Sequence, residues 1–158
     1  LKICGCYNDF LENTDFDHAL AVHLRYFSSD KLPIDDADLP NKYYDKAILA
    51  ACESKYITSC LIFTNDLEKA KKFTRSSKLP IASRIIHAPS CSLNASSEML
   101  LMAKCAAIIT SNSTYSWWAG FLSSEEAYVC APNYRRRRLP VWGFDGLYPP
   151  KFTLVDIN

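Results

Sequence analysis

The sequence predicts an α/β fold: a Rossmann-like parallel sheet flanked by helices. Two observations carry this reading. From residue 19 onward, short β-rich runs alternate with amphipathic stretches of helical period, which implies right-handed βαβ crossovers and parallel pairing. The most unusual polar residues directly follow the strand runs, where such sheets bind ligands.

Taken in order, residues 1 to 18 carry Asp9, Glu12, Asp15 and Asp17 and read as a lead-in segment, linker or helix, to one domain over residues 19 to 158. Ala19 to Leu24 is the first strand, and Lys31 to Pro40 is an Asp- and Pro-rich loop. Asn41 to Ser54 is a helix with Tyr44, Ile48, Ala51 and Cys52 along one side. Tyr56 to Phe63 is a strand ending in Thr64-Asn-Asp66, which can cap a helix over Leu67 to Thr74. Arg84 to His87 is a short strand. Ser96 to Lys104 is a helix capped by Ser96 or Ser97, with Met99, Leu100, Met102 and Ala103 apolar. Ala106 to Thr110 is a buried strand, Ser113 to Leu122 a helix, and Ala127 to Ala131 the last clear strand. From Pro132 the chain reads as irregular, with Pro140, Pro149 and Pro150.

A length of 158 residues suits one domain with a core. The formal net charge is +1, so charge does not select nucleic acid or a membrane as partner. The dense run Arg135 to Arg138 reads either as a solvated loop or as a contact with phosphate or an acidic partner. No apolar run reaches the roughly 20 residues of a membrane-spanning helix. No signal peptide is recognisable, and the first residue is not Met, as in a piece of a longer chain.

Cysteines number seven, mostly in apolar context, which points to free buried thiols and a reducing, cytoplasmic setting. The sequons Asn94-Ala-Ser96 and Asn112-Ser-Thr114 point the other way and keep a Golgi lumen open for a piece of a longer chain. Cys4-Gly-Cys6 lacks a matching second pair, so no zinc site is expected.

The segment Ala106 to Trp118 is the most informative. An apolar strand runs straight into Ser111, Asn112, Ser113 and Thr114, then into a helix carrying Ser116, Trp117 and Trp118. Hydroxyls and free backbone N–H groups at a helix N-terminus form an anion site. Capping by Ser111 or Ser113 accounts for one hydroxyl and leaves the others and Asn112 unexplained. Adjacent helix positions point about 100 degrees apart, so the two tryptophans cannot face one ligand and read as core or interface. Met99 and Met102 read as core, and Tyr115 as packing.

This segment resembles the C-terminal motif of the family 11 glycosyltransferases, the α-1,2-fucosyltransferases. There, a Leu-Met-x-x-Cys helix precedes an apolar strand and then Asn-Ser-(Ser/Thr)-(Phe/Tyr)-Ser-Trp-Trp. The matching residues are Leu101-Met-Ala-Lys-Cys105, Ile108-Ile109 and Asn112 to Trp118. The likeness extends through Leu39 to Ile48, Ile62 to Asp66, Ala131-Pro132 and Leu147-Tyr-Pro-Pro150.

The resemblance implies the C-terminal half of a GT-B glycosyltransferase, with residues 19 to 158 as its donor-nucleotide-binding domain. It implies GDP-β-L-fucose as donor, inverting transfer to a galactose hydroxyl of a glycan acceptor, and no metal or other cofactor. Cationic and hydrogen-bonding groups must then stabilise the leaving diphosphate. His23-Leu-Arg25 matches the start of a strand-end signature, His-x-Arg-Arg-Gly-Asp. Arg25 is the expected catalytic residue and diphosphate ligand, because a guanidinium binds two phosphate oxygens at once. His23 is either a ligand contact or a buried support for this loop. Tyr26, Phe27 and Ser28 replace the rest of the signature, and loss of one cation weakens leaving-group stabilisation by on the order of a few kcal/mol.

Asp30, Asp35 and Asp36 follow in the loop, and nothing selects a general base among them. Asp66 is a candidate acceptor for guanine N1–H and N2–H, and equally a helix cap. His87, ending another strand, is expected near the nucleotide. The expected donor set is thus His23, Arg25, Asp66, Ser111, Asn112, Ser113, Thr114 and Ser116. Residues 1 to 25 contain nothing like the family's Gly-x-Gly-Asn-Gln segment. The acceptor site is therefore expected from a missing N-terminal domain or a partner chain. The alternative is a catalytically inactive nucleotide-sugar-binding or scaffold module.

Overall fold

The computed structural model describes residues 5–27, 38–77, 79–87, 94–133 and 146–157. Its centre is β1 (Ala19–Leu24), buried along its whole length and paired on both sides. On one side lie β2 (Ser59–Thr64) and β3 (Ala82–Ile86); on the other lie β4 (Ala107–Ile109), β5 (Tyr128–Asn133) and β6 (Phe152–Asp156). The order is β3-β2-β1-β4-β5-β6 and every pairing is parallel. This is the Rossmann order, whose topological switch falls between β1 and β4.

The crossover helices are α2 (Asn41–Ser54), α3 (Leu67–Ser76), α4 (Ala95–Lys104) and α5 (Thr114–Leu122). Alternation along each strand sends side chains to opposite faces. Leu20, Val22, Cys60, Ile62 and Ile109 join one cluster with Tyr43, Ala47, Ile48 and Phe73 of α2 and α3. Ala19, Ala21, Phe63, Ile108 and Val129 join the other with Leu101, Met102 and Ala119 of α4 and α5. Gly120 lets α5 approach closely: a Cβ there would lie 2.8 Å from both Phe152 Cζ and Val129 Cγ1.

The lead-in forms α1 (Gly5–Asn13) and a 3-10 turn over Phe16–His18, with Leu11 and Phe16 packed on the second cluster. The turn ties into the sheet, since Thr58 N–H donates to His18 O (2.9 Å) and Ala106 N–H to Phe16 O (2.9 Å).

Several expected boundaries move. The second strand starts at Ser59, not Tyr56, whose ring is 77% exposed. The third runs over Ala82–Ile86 rather than Arg84 to His87, and the fourth over Ala107–Ile109. Asn94, rather than Ser96 or Ser97, caps α4, its side chain accepting from Ser97 N–H. The inward stripe of this helix also differs from the expected one: Leu101 is buried and Leu100 is 47% exposed. Cys52 is only half-buried, and Tyr43 takes the inward position beside Tyr44.

The chain is also not irregular from Pro132. β5 continues through Asn133, and β6 follows. Pairing of β5 with β4 stops at Cys130, so the N–H that Pro132 lacks is not needed on that side. The tail is held by two bonds to its matched motif: Trp117 Nε1–H donates to Leu147 O (3.0 Å) and the Tyr148 hydroxyl to Pro132 O (3.1 Å). Of the two tryptophans expected in the core or an interface, Trp117 packs on the second cluster and Trp118 is 48% exposed, outside the core. Among the described residues no helix is long and apolar enough to cross a membrane.

Candidate functional site

The switch between β1 and β4 is fixed from below by α2. The Tyr43 hydroxyl donates to Thr110 O (2.7 Å) and the Tyr44 hydroxyl to His23 O (3.2 Å). Both carbonyls thereby accept from a buried side chain. Across the switch, His23 Nδ1 lies 2.8 Å from Ser111 Oγ, and both residues are buried. Burial, with the Arg25 charge adding to it, lowers the His23 pKa to about 3, so the ring is neutral at physiological pH.

Ser111 and Ser116 form a brace rather than a ligand surface. Ser111 N–H donates to Ser116 Oγ (3.1 Å), and the Ser116 hydroxyl, fully buried, donates to Ser113 O (3.2 Å). The brace leaves Asn112, Ser113 and Thr114 to face a cleft of about 570 Å³ at the carboxyl edge of the sheet. Ser113 is the N-cap of α5, accepting from Tyr115 N–H at 3.3 Å, and no acid occupies the first turn. The positive end of this helix therefore meets the cleft without a carboxylate of its own.

His23, Arg25, Phe27, Thr64, Asn65 and His87 also line it. Arg25 is exposed, with its guanidinium 5.4 Å from the centre of the Phe27 ring. Asn65 pins the segment after β1: its Oδ1 accepts from Tyr26 N–H (2.9 Å) and its Nδ2–H donates to Tyr26 O (2.8 Å). Where the resemblance has a second arginine stands Tyr26, with Lys69 Nζ 4.9 Å from the ring centre. A cation thus still borders this segment, paired at 3.4 Å with Asp38.

Asp66 does not line the cleft; its carboxylate caps α3, accepting from Lys69 N–H at 3.0 Å. The acid in the cleft is Glu98, which the sequence reading missed. Glu98 is 9% exposed, and its Oε2 lies 3.4 Å from the Tyr115 hydroxyl. Burial and Glu98 together raise the Tyr115 phenol, keeping it a neutral donor. The usable signal was periodicity. Glu98, Leu101, Met102 and Cys105 are spaced i, i+3, i+4, i+7, which puts a carboxylate on the inward stripe.

Ser28, Asp30, Asp35, Asp36 and Arg135 to Arg138 lie outside the described residues. Cys60, Cys105 and Cys130 are free and buried, with thiol pKa values raised by burial, which makes them poor nucleophiles.

A Rossmann-like domain with a polar cleft at its switch point, as in one half of a GT-B glycosyltransferase, is the class that fold and site define. The chain belongs to glycosyl transferase family 11, whose family model matches residues 38–138. It is 31% identical over 96 residues to the O-antigen biosynthesis glycosyltransferase WbnK of Escherichia coli, a match covering 60% of this chain and 30% of that protein. Its fold resembles the glycosyl transferase family 9 structure from Veillonella parvula (TM-score 0.54, 12% identity, 95% of this chain and 38% of that one). It also resembles ADP-heptose LPS heptosyltransferase II of E. coli (TM-score 0.53, 12% identity, 98% and 44%). The chain therefore spans less than half the length of each of these relatives.

Proposed function

We propose that this chain is the donor-binding portion of a fucosyltransferase that takes GDP-fucose and passes L-fucose, with inversion and without a metal, to a galactose-containing glycan. The observation that carries the proposal is the pairing of Arg25 with the acid-free N-terminus of α5 in one cleft. Both favour a diphosphate, one through a guanidinium and the other through aligned N–H groups. In the transfer step negative charge builds on the leaving diphosphate, and Arg25 is the side chain that meets it.

Glu98 supports the nucleoside end of this reading. A carboxylate would repel a phosphate, so its place in the cleft suits the N1–H and N2–H of guanine. Asp66, the acid first expected there, is committed to its helix cap. Membership of glycosyl transferase family 11 supports glycosyl transfer as the reaction class. The fucosyl donor and the galactose acceptor rest on the motif resemblance.

A second reading is favoured by one feature. Tyr26 and Phe27 stand in place of the signature's second arginine and glycine, which fits a module that binds the nucleotide sugar without transferring it. Calorimetry with GDP tests both readings, and no binding at millimolar nucleotide sinks both. If GDP binds, hydrolysis of GDP-fucose or transfer to lactose separates enzyme from binder. The acceptor site is expected from an N-terminal domain or a partner chain, so transfer should be assayed with the full-length protein as well.

A further inference from the structure

His23 is buried at the switch point, and its Nδ1 is committed to Ser111 Oγ at 2.8 Å. Which nitrogen of a neutral imidazole carries the proton is set by the bond the other one makes. The serine brace bears on this. Ser116 Oγ accepts from Ser111 N–H (3.1 Å), and its own proton goes to Ser113 O (3.2 Å). Ser116 Oγ lies 3.4 Å from Ser111 Oγ and His23 Nδ1 only 2.8 Å, which makes the imidazole nitrogen the better placed acceptor for the Ser111 proton. With the Ser111 hydroxyl donating to Nδ1, the ring proton sits on Nε2. The ring plane is held by Tyr115, whose centroid lies 5.4 Å away. Among the described residues Nε2 has no partner, and the residue lines the cleft beside Arg25 and the start of α5.

We propose that Ser111, seated by Ser116, is a positioning residue that locks His23 as its Nε2–H tautomer, so that the ring offers one uncharged N–H to a phosphate oxygen in the cleft. This rests on the donor-diphosphate reading above. The lowered pKa agrees with a ring that donates a hydrogen bond without delivering a proton. Leaving-group charge is then met by Arg25 and the helix end, while His23 fixes where the phosphate sits.

The test is long-range 1H–15N correlation spectroscopy on the complete chain labelled with 15N-histidine. The chain has 3 histidines, and the variants His18→Gln and His87→Gln assign the His23 signal by elimination. The expected result is a pyridine-type Nδ1 and a pyrrole-type Nε2 in the free protein, with Nε2 shifting on addition of GDP. Ser111→Ala should lose the single-tautomer pattern and weaken GDP binding by about fivefold, the scale of one neutral hydrogen bond. Ser111→Thr keeps the hydroxyl and should restore both. A pyrrole-type Nδ1 in the free wild type overturns the proposal, and this reading holds even if Ser111→Ala does not fold. Bound GDP with an unmoved Nε2 overturns this inference alone, whereas no GDP binding overturns the donor reading along with it.

Discussion

Two strand-to-helix turns face the same edge of the sheet, and they end in opposite electrostatic states. At β2–α3 the N-cap is Asp66, with Glu68 in the first turn. At β4–α5 the cap is Ser113, and the first turn has no acid. A carboxylate cap neutralises the positive end of its own helix, whereas a hydroxyl satisfies one N–H and leaves the end positive. Only the second turn is free to receive an anion, and it is the one beside the switch point. A strand followed by a polar cap is therefore an incomplete signal for a phosphate site; the charge of the cap decides.

The comparison can be broken most directly at the cation that faces the α5 end. Arg25→Ala should weaken GDP binding by roughly 1.5–3 kcal/mol, the range for hydrogen bonds to charged groups. Calorimetry checks this, and unchanged affinity would remove Arg25 from the site. Nearly as large is an effect on folding. His23 titrates near 6.5 when unfolded and near 3 when folded, so the unfolded chain binds more protons in that window and stability rises with pH. Between pH 5 and pH 7 the gain should be on the order of 2 kcal/mol. Urea melts of wild type and His23→Gln check it, the variant showing a flatter profile.

Ser113→Asp makes the β4–α5 turn resemble its counterpart. It should keep the cap and the melting temperature while weakening GDP by about 1–2 kcal/mol, as an acid at a partly buried helix end does. GDP titration and thermal melts on the same sample separate the two quantities. Smallest of all, Asp66→Asn keeps a capping side chain away from the cleft and should change GDP affinity by less than about 0.5 kcal/mol. A larger loss would return Asp66 to the nucleotide site.

Much of the architecture was legible because period and composition agreed. β1 and α2 fall where the apolar pattern put them, since one is buried throughout and the other has a clean inward stripe. β6 was illegible for a physical reason. It is an edge strand behind two prolines, with partly exposed side chains after Phe152, so neither a buried run nor strict alternation marks it. In the site, Arg25 and the Asn112–Thr114 wall were readable as polar residues after strands, and His23 as a polar residue near the end of one. The division of labour among the serines was not. Ser111 and Ser116 look like Ser113 in sequence, and only the bend between strand and helix turns them inward. Glu98 was hidden because the inward stripe was read on Met99, Leu100, Met102 and Ala103, whereas the buried positions are Ser97, Glu98, Leu101 and Met102.

The bond between His23 and Ser111 joins residues 88 positions apart in the chain. One of the two partners of β1, β4, arrives only after three crossover helices and two further strands have been laid down. Closing so long a loop is slow relative to local helix formation. The cleft edge at the switch point therefore comes into being only when β4 inserts beside β1. On the proposed donor reading, bound nucleotide thereby reports that β4 has taken its place beside β1.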